Sequence, residues 1–445
     1  MAQKPASKDK PISREINGEK VFVFPLRYEE GGSYNQRDSL ATGEWVMLYK
    51  DEIECVGIKM FYKDSLKHGE WKGFWKNGNP MFERNYVKDK PEGKWIGWHN
   101  NLEIESQETY VNGKLEGRGE YRFYTGKLKR ESFYKDGKED STRTLYFEDG
   151  TIQAQGMVKD NKLEGLWNRW YPKGKKNMEG AFKQDKKEGK WTYWYPSGKV
   201  DQELFFKDGL EDGTWTYWYE NGKKLKKESY KNGKKDGLWT SWYEDGVKEH
   251  EGNFKEGKEE GTWTSWHPNG NKKDEGNFTG GKLDGVWTGW HPNGKIMYAG
   301  IQKMGIKDGV WKYYNTKEQL EQQGGYLNGK KNGRWVTYSQ TGEILQEGAY
   351  KDDKENGLWT AYYEKGGKLS EQTYKLGQLN GKNTYWYPFN GPVMRKERYV
   401  NGHKNGKMVY YEKDGKPNYK VIYKMGKVLK KVSYAKETTP KTPSK

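Results

Sequence analysis

The chain has 445 residues, of which 32% are hydrophobic and 32% are charged, and this polarity excludes a thick aliphatic core. Aromatic residues still make up 16% of the chain, with 21 Trp and 34 Tyr, which excludes the composition typical of disorder. The formal net charge is +17, and residues 402–445 alone hold 12 Lys against 3 acidic residues, which gives +9. The remainder is close to balanced, so we expect no specific nucleic-acid partner.

The single cysteine, Cys55, excludes an intramolecular disulfide, and no histidine partner marks it as a nucleophile. The N-terminus lacks the apolar core of a secretory signal. No window approaches the ~18 apolar residues of a membrane helix. We therefore expect a cytoplasmic protein, with a non-standard export route as the alternative.

The composition along the chain predicts four regions. Residues 1–20 are rich in Lys, Ser and Pro and predict a disordered basic tail. Residues 21–42 open with Val21-Phe22-Val23-Phe24 and predict N-terminal capping strands. Residues 43–434 form a repeat array that closes with a C-terminal cap, and residues 435–445 predict a disordered Lys/Thr/Pro tail.

The array is built on a period of 24 residues, which makes about sixteen units and is typical of a repeat architecture. Each unit opens with a glycine, numbered here as position 0, and Ser141 fills the one gap in the series. The opening glycines of the regular units are Gly69, Gly93, Gly117, Gly165, Gly189, Gly213, Gly237, Gly261, Gly285, Gly309, Gly333, Gly357 and Gly381.

Two turn signals recur in each unit, at positions +8/+9 and +19/+20. Asn221-Gly222 and Asn232-Gly233 are examples, and Asn-Gly pairs favour two-residue turns of type I′. Two such turns in 24 residues leave two short strands and no room for an ordinary helix. The sequence therefore predicts an all-β fold, an elongated and open twisted ribbon of antiparallel β-hairpins.

All 21 Trp fall at +2, +5 or +6. A two-residue turn at +8/+9 pairs positions that sum to 17, so +2 faces +15, which is often glycine. We predict that Trp at +2, such as Trp215, covers a cross-strand glycine.

Trp at +5 lies on the other face, and we predict that it contacts a partner. If these rings pack on neighbouring strands instead, they are core. The candidates, called the +5 tryptophans below, are Trp170, Trp194, Trp218, Trp242, Trp266 and Trp290.

The segment from Tyr230 to Trp239 resembles a MORN repeat: an aromatic residue, then Asn-Gly, then Gly-x-Trp. It is similar to the bacterial variant found in YwqK-type antitoxin family proteins, and the resemblance covers roughly residues 43–426. It implies an elongated hairpin ribbon that binds proteins, sometimes lipids, or associates with itself. The prototype repeat has Gly-x-Gly where this chain has Trp239.

Three of the six histidines, His99, His267 and His291, stand at +6, where Tyr is usual, and we interpret them as structural substitutes. No spaced set of metal ligands and no catalytic constellation is visible, so we expect no metal, no cofactor and no enzymatic activity. A basic patch for weak contact with an anionic surface is predicted at the C-terminal end, with a solvated tail as the alternative. Its residues are Lys424, Lys427, Lys430 and Lys431.

These observations predict a non-catalytic repeat scaffold that binds one or more proteins, or a second copy of itself, through an aromatic-rich β surface. An antitoxin-like neutralising protein is one alternative, and it rests on the family resemblance. A binder of anionic lipid or glycan surfaces is the other.

Overall fold

The structure, a computed structural model, describes the backbone of residues 12–16, 19–25, 43–48, 56–64 and 66–434, with side chains from residue 57 onward in these ranges. The described residues form strands and turns without a helix, which confirms the all-β prediction. The chain forms two compact units, Met1–Gly222 and Lys223–Lys445.

The first unit contains the strands Ile12–Ile16, Glu19–Pro25, Gly43–Leu48, Val56–Lys63, Leu66–Lys67, Gly69–Phe74, Pro80–Val87, Lys90–Trp98, Ile104–Val111, Lys114–Leu115, Gly117–Arg122, Leu128–Lys135, Lys138–Glu139, Ser141–Tyr146, Ile152–Lys159, Lys162–Trp170, Lys176–Lys183, Lys186–Trp194, Val200–Lys207, Leu210–Glu211 and Gly213–Trp218.

The second unit contains the strands Lys224–Lys231, Lys234–Lys235, Gly237–Trp242, Lys248–Lys255, Lys258–Trp266, Lys272–Thr279, Lys282–Trp290, Ile296–Lys303, Ile306–Tyr314, Leu320–Leu327, Lys330–Tyr338, Ile344–Lys351, Lys354–Glu355, Gly357–Tyr362, Lys368–Lys375, Gln378–Leu379, Gly381–Trp386, Val393–Val400, His403–Lys404, Gly406–Tyr411, Pro417–Lys424 and Lys427–Ser433.

The turn at +19/+20 is the predicted two-residue type I′ turn. Asn232 and Gly233 have φ angles of 49° and 79°, and Lys231 pairs with Lys234 on either side of them. Positive φ at both central positions defines this turn, and its twist matches that of the strands. Local side-chain chemistry is therefore sufficient to close this end of each hairpin.

The turn at +8/+9 is not of type I′. In the unit that opens at Gly237, the amide of Tyr243 donates to Val247 O at 2.9 Å, and the amide of Gly246 donates to Tyr243 O at 2.8 Å. Gly246 has a φ of 91°, whereas Asp245 is not in the left-handed region. This geometry is a three-residue loop built on a type I turn, in which only the glycine needs positive φ.

A β-bulge restores the predicted register beyond this loop. Trp242 pairs with Lys248, but the neighbouring Ser241 pairs with His250, so Glu249 is the extra residue. Pairing then continues regularly to Gly237 and Phe254. The predicted sum of 17 therefore holds from position 0 to +4, because the bulge offsets the extra loop residue.

The opening glycine lies in a second bulge. Gly276 pairs with Trp287 and Phe278 pairs with Leu283, so Asp284, Gly285 and Val286 lie opposite the single residue Asn277 on the facing strand. Gly285 has a φ of 117°, in a region that L residues rarely adopt. Glycine is favoured at position 0 for this reason.

The pattern changes at the N-terminal end. The strand Ile12–Ile16 lies within the range predicted as a tail. The division of the chain into four regions stays a prediction. The strand Glu19–Pro25 pairs with Gly43–Leu48 in parallel, which is an exception to the predicted antiparallel order. Cys55 and the predicted tail at 435–445 lie outside the described residues.

Candidate functional site

Trp at +2 covers a glycine, but on the opposite flank from the predicted one. A Cβ atom added to Gly180 would lie 2.1 Å from Cδ2 of Trp191, which belongs to the following repeat. Across its own hairpin Trp191 faces Leu204. The same arrangement places Trp167, Trp191, Trp263, Trp287, Trp311, Trp335 and Trp359 over Gly156, Gly180, Gly252, Gly276, Gly300, Gly324 and Gly348.

A hydrogen bond to the main chain explains the choice of flank. The indole Nε1 of Trp191 donates to Ala181 O at 3.1 Å, ten residues earlier. Nine indoles at +2 make this bond to the preceding repeat. Trp215 follows the rule by bonding Phe205 O at 2.9 Å, but it packs against the cluster containing Leu204, so the prediction that it covers a glycine is wrong.

The Trp rings at +2 are covered by other side chains of the protein. The Phe182 and Trp191 rings meet edge to face at 4.8 Å, and Trp191 is only 1% exposed. Lys187 Nζ lies 4.5 Å from the Trp191 centroid and 4.6 Å from that of Phe206, at cation–π distance. The second unit repeats this packing at Lys331 and Trp335, where the distance is 4.1 Å. Trp191 and Trp335 are therefore structural.

The +5 tryptophans lie on the other face and are all half-buried, three in each compact unit. In the second unit, Lys248 Nζ lies 5.4 Å from the Trp266 ring and 2.7 Å from Glu251 Oε2. Lys272 stands in the same way 5.5 Å from Trp290. Trp194, Trp242, Trp266 and Trp290 thus each have a lysine amine within cation–π distance.

The indole N–H groups distinguish the two faces. Nine of those at +2 donate to the main chain, as described above, and those of Trp239 and Trp287 donate to the side chains of Glu228 and Tyr298. Those of Trp170, Trp194, Trp218, Trp266 and Trp290 have no acceptor among the described residues. A half-exposed ring with an unused donor is typical of an interface residue.

The histidines at +6 act as the predicted substitutes for tyrosine. Tyr243 OH donates to Trp266 O at 2.8 Å, across to the next repeat. His267 Nε2 lies 2.9 Å from Trp290 O in the equivalent place. Because a carbonyl only accepts, Nε2 carries the hydrogen. No cluster of three or more possible metal ligands occurs among the residues with described side chains.

Acidic residues just before the opening glycine are also structural, which sequence reasoning missed. The carboxylate of Glu188 accepts the amide of Asp208 at 2.9 Å, in the type I′ turn twenty residues later. Glu260 accepts the amide of Gly280 in the same way at 2.9 Å. The recurrence of Asp or Glu at position −1 was the available signal.

A polar network occupies the core where two successive repeats carry no Trp, those opening at Gly117 and Ser141. Glu108 accepts hydrogen bonds from Tyr110 OH at 3.0 Å and from Tyr121 OH. Burial, together with the Glu108 carboxylate, raises the pKa of both phenols. These tyrosines therefore stay neutral donors and are unsuited to act as bases.

The predicted basic patch is divided by the structure. Lys424 pairs with Lys427 across the last turn, while Lys430 and Lys431 are successive strand residues in regular register. Successive residues point to opposite faces, and Lys431 Nζ lies 4.9 Å from the Tyr419 ring. The four exposed lysines do not form one patch, and contact with an anionic surface stays a prediction.

The hairpins, many of them bonded to the next through +6 side chains or turn caps, define a β-hairpin repeat protein. Seven segments match the family described as the MORN repeat variant. The matched residues are 67–88, 187–208, 211–232, 235–256, 259–279, 283–301 and 355–376. No curated protein sequence matches the chain.

Among solved structures, the chain is similar at 10% identity and a TM-score of 0.15 to one described as the crystal structure of TcdB2-TccC3-Cdc42. The matched region covers 88% of this chain and 26% of the chain in that structure. A Tc holotoxin pore from Photorhabdus luminescens gives 10% identity, a TM-score of 0.10, and coverage of 85% and 30%. The chain thus spans less than a third of these proteins, and such low scores carry no functional information. The described residues include no helix suited to cross a membrane.

Proposed function

We propose that the chain is a non-catalytic repeat scaffold that binds protein partners through the +5 tryptophans. The observation that carries this proposal is the contrast between the two faces. The indole N–H groups at +2 donate to acceptors within the protein, nine of them to the main chain and two to side chains, whereas those of five of the six +5 tryptophans have no acceptor among the described residues. A partner can supply that acceptor while covering the ring.

The fold does not require an indole at +5. Tyr338 pairs with Ile344 in the same register in which Trp290 pairs with Ile296. Tyr at +5 therefore supports the same backbone pairing. The larger ring and its donor are available for recognition, and Trp is the residue most enriched where interfaces concentrate their binding energy.

The chemistry of the strip specifies the partner surface. A matching partner presents a carbonyl or carboxylate oxygen to the indole N–H and an apolar group to the ring. Exposed carboxylates on the partner also pair with the lysines that border four of the rings, such as Lys248 and Lys272. A second copy of this chain offers both chemistries, so self-association belongs to the same proposal.

The test compares two triple variants in the second unit. Trp242, Trp266 and Trp290 are replaced together by Thr in one variant and by Tyr in the other. The Tyr variant keeps the residue type of the later repeats and controls for folding. Affinity capture from source cells with mass spectrometry, and light scattering, measure partner binding and self-association. We expect the Thr variant to lose what wild type binds while the Tyr variant retains most of it. An identical set of captured proteins for all three chains would contradict the proposal, as would a monomeric wild type without a partner.

The resemblance to YwqK-type antitoxins favours one particular partner, a toxin met in the bacterial cytoplasm. Neutralisation needs only binding, so it is a special case of the same scaffold. Co-expression with a toxic neighbouring gene product tests it. Restored growth with the Tyr variant and not with the Thr variant supports it, and unrelieved toxicity with wild type rejects it.

A further inference from the structure

A groove opens in the first compact unit beside Arg169. It consists of two adjoining cavities of about 430 and 220 Å³, which share Arg169 and Asn177. The larger one falls within the size range of small-molecule sites. Its apolar lining includes Leu145, Phe147 and Ala154.

Two substitutions in the repeat pattern account for the space. At +6, Tyr171 OH bonds Trp194 O at 2.9 Å, but the preceding repeat has Phe147, which has no polar atom to make this bond. At +13, the 2% exposed Ala154 stands where the next repeat has the larger Met178. Since both changes fall in one repeat, the gap lies between that repeat and the next.

The groove is positively charged. Arg169 pairs with Ala154 in register through its backbone. Its side chain is exposed and makes no hydrogen bond or ion pair with any described residue. Lys187 lines the smaller cavity, and no Asp or Glu lines either one. In the following repeat, position +4 is Tyr193, whose hydroxyl accepts a hydrogen bond from Lys187 Nζ at 3.1 Å.

We propose that this groove binds a carboxylate carried next to an aromatic or aliphatic group. The Arg169 guanidinium offers a planar pair of donors that matches a carboxylate, and the Asn177 amide offers another. The apolar group fills the cavity over Ala154 and beside Phe147. The ligand is a free carboxylic acid or the C-terminal residue of a peptide, and both present the same chemistry. Trp170, one of the +5 tryptophans, also lines the larger cavity. The test proposed above changes only tryptophans of the second unit, so the two proposals can fail separately.

Calorimetry with the full chain and defined probes tests the site. N-acetylphenylalanine represents a peptide C-terminus, 3-phenylpropionate represents a free acid, and the corresponding amides remove the charge. We expect at least one acid to bind and its amide to bind at least about tenfold more weakly. The acid that binds more tightly identifies the source of the ligand.

Two variants assign the binding to Arg169. Arg169→Tyr places at +4 the residue that the next repeat has there, so folding is preserved. This variant binds the acid at least about tenfold more weakly than wild type. Lys183→Gln removes one charge from the opposite face of the neighbouring strand and leaves affinity unchanged. Equal affinity of acid and amide, equal loss in both variants, or no binding of either acid to wild type at about 10 mM would each overturn the proposal.

Discussion

Replacing Gly180 by Ala tests the packing of Trp at +2. The new Cβ atom would lie 2.1 Å from Trp191 Cδ2, so the ring must move away. Overpacking of this kind costs about 1–3 kcal/mol, and losing the 3.1 Å bond from the indole to Ala181 O adds about 1 kcal/mol. We therefore expect local stability to fall by about 2–4 kcal/mol.

The assay is amide hydrogen exchange of peptides covering 176–194, because repeat arrays open locally. Trp191→Leu supplies the second arm of a double-mutant cycle, since it removes the ring that clashes. In that background Gly180→Ala should cost less than about 1 kcal/mol, because Ala fits strand geometry at least as well as Gly. An equal cost in both backgrounds, or none in either, would refute the reasoning.

Three further changes test other parts of the repeat. Ser141 has a φ of 135° where the other regular repeats have glycine. Ser141→Gly relieves ~1–3 kcal/mol of backbone strain and costs ~0.5–1 kcal/mol of glycine entropy in the unfolded chain. We therefore expect Ser141→Gly to raise Tm, and a lower Tm would contradict this. Burial raises the pKa of Glu228, but hydrogen bonds from lysines such as Lys235 outweigh it and leave the pKa below its usual value. The ionised form of Glu228 therefore stabilises the fold at neutral pH, and this contribution is lost as the pH falls through the folded-state pKa. The difference in Tm between wild type and Glu228→Gln should therefore become smaller in acid, and a larger difference would contradict this. His267→Phe removes the bond to Trp290 O and should cost about 1 kcal/mol in chemical denaturation, whereas His267→Tyr keeps it and should be neutral; equal costs would show that the bond contributes nothing.

The sequence was sufficient for features set within a few residues. Asn232-Gly233 forms the predicted turn because both residues accept positive φ. The pair at +8/+9 was misread because a type I loop also needs glycine at its end, as Gly246 shows. Only the hydrogen bonds across the hairpin distinguish these two turns, and they are not encoded in the dipeptide itself.

Features that depend on the neighbouring repeat were harder to predict. Trp191 lies between two residues at position +15, Gly180 of the preceding repeat and Leu204 of its own. The bulge and the hydrogen bond to Ala181 O decide that the ring covers Gly180. The groove at Arg169 needs Phe147 and Ala154 in the preceding repeat. Both residues depart from the repeat pattern, so the pattern itself does not predict the groove. The division of Trp into two faces was predictable, because strand alternation is local.

The most direct test of the proposed function is the affinity of an identified partner for the two triple variants of Trp242, Trp266 and Trp290, measured by calorimetry. Three interface indoles that each contribute about 1 kcal/mol or more predict at least a hundredfold weaker binding for the Thr variant. The Tyr variant should retain most of the affinity. If the Thr variant, folded by circular dichroism, binds the partner as tightly as wild type, the +5 tryptophans are not the binding surface.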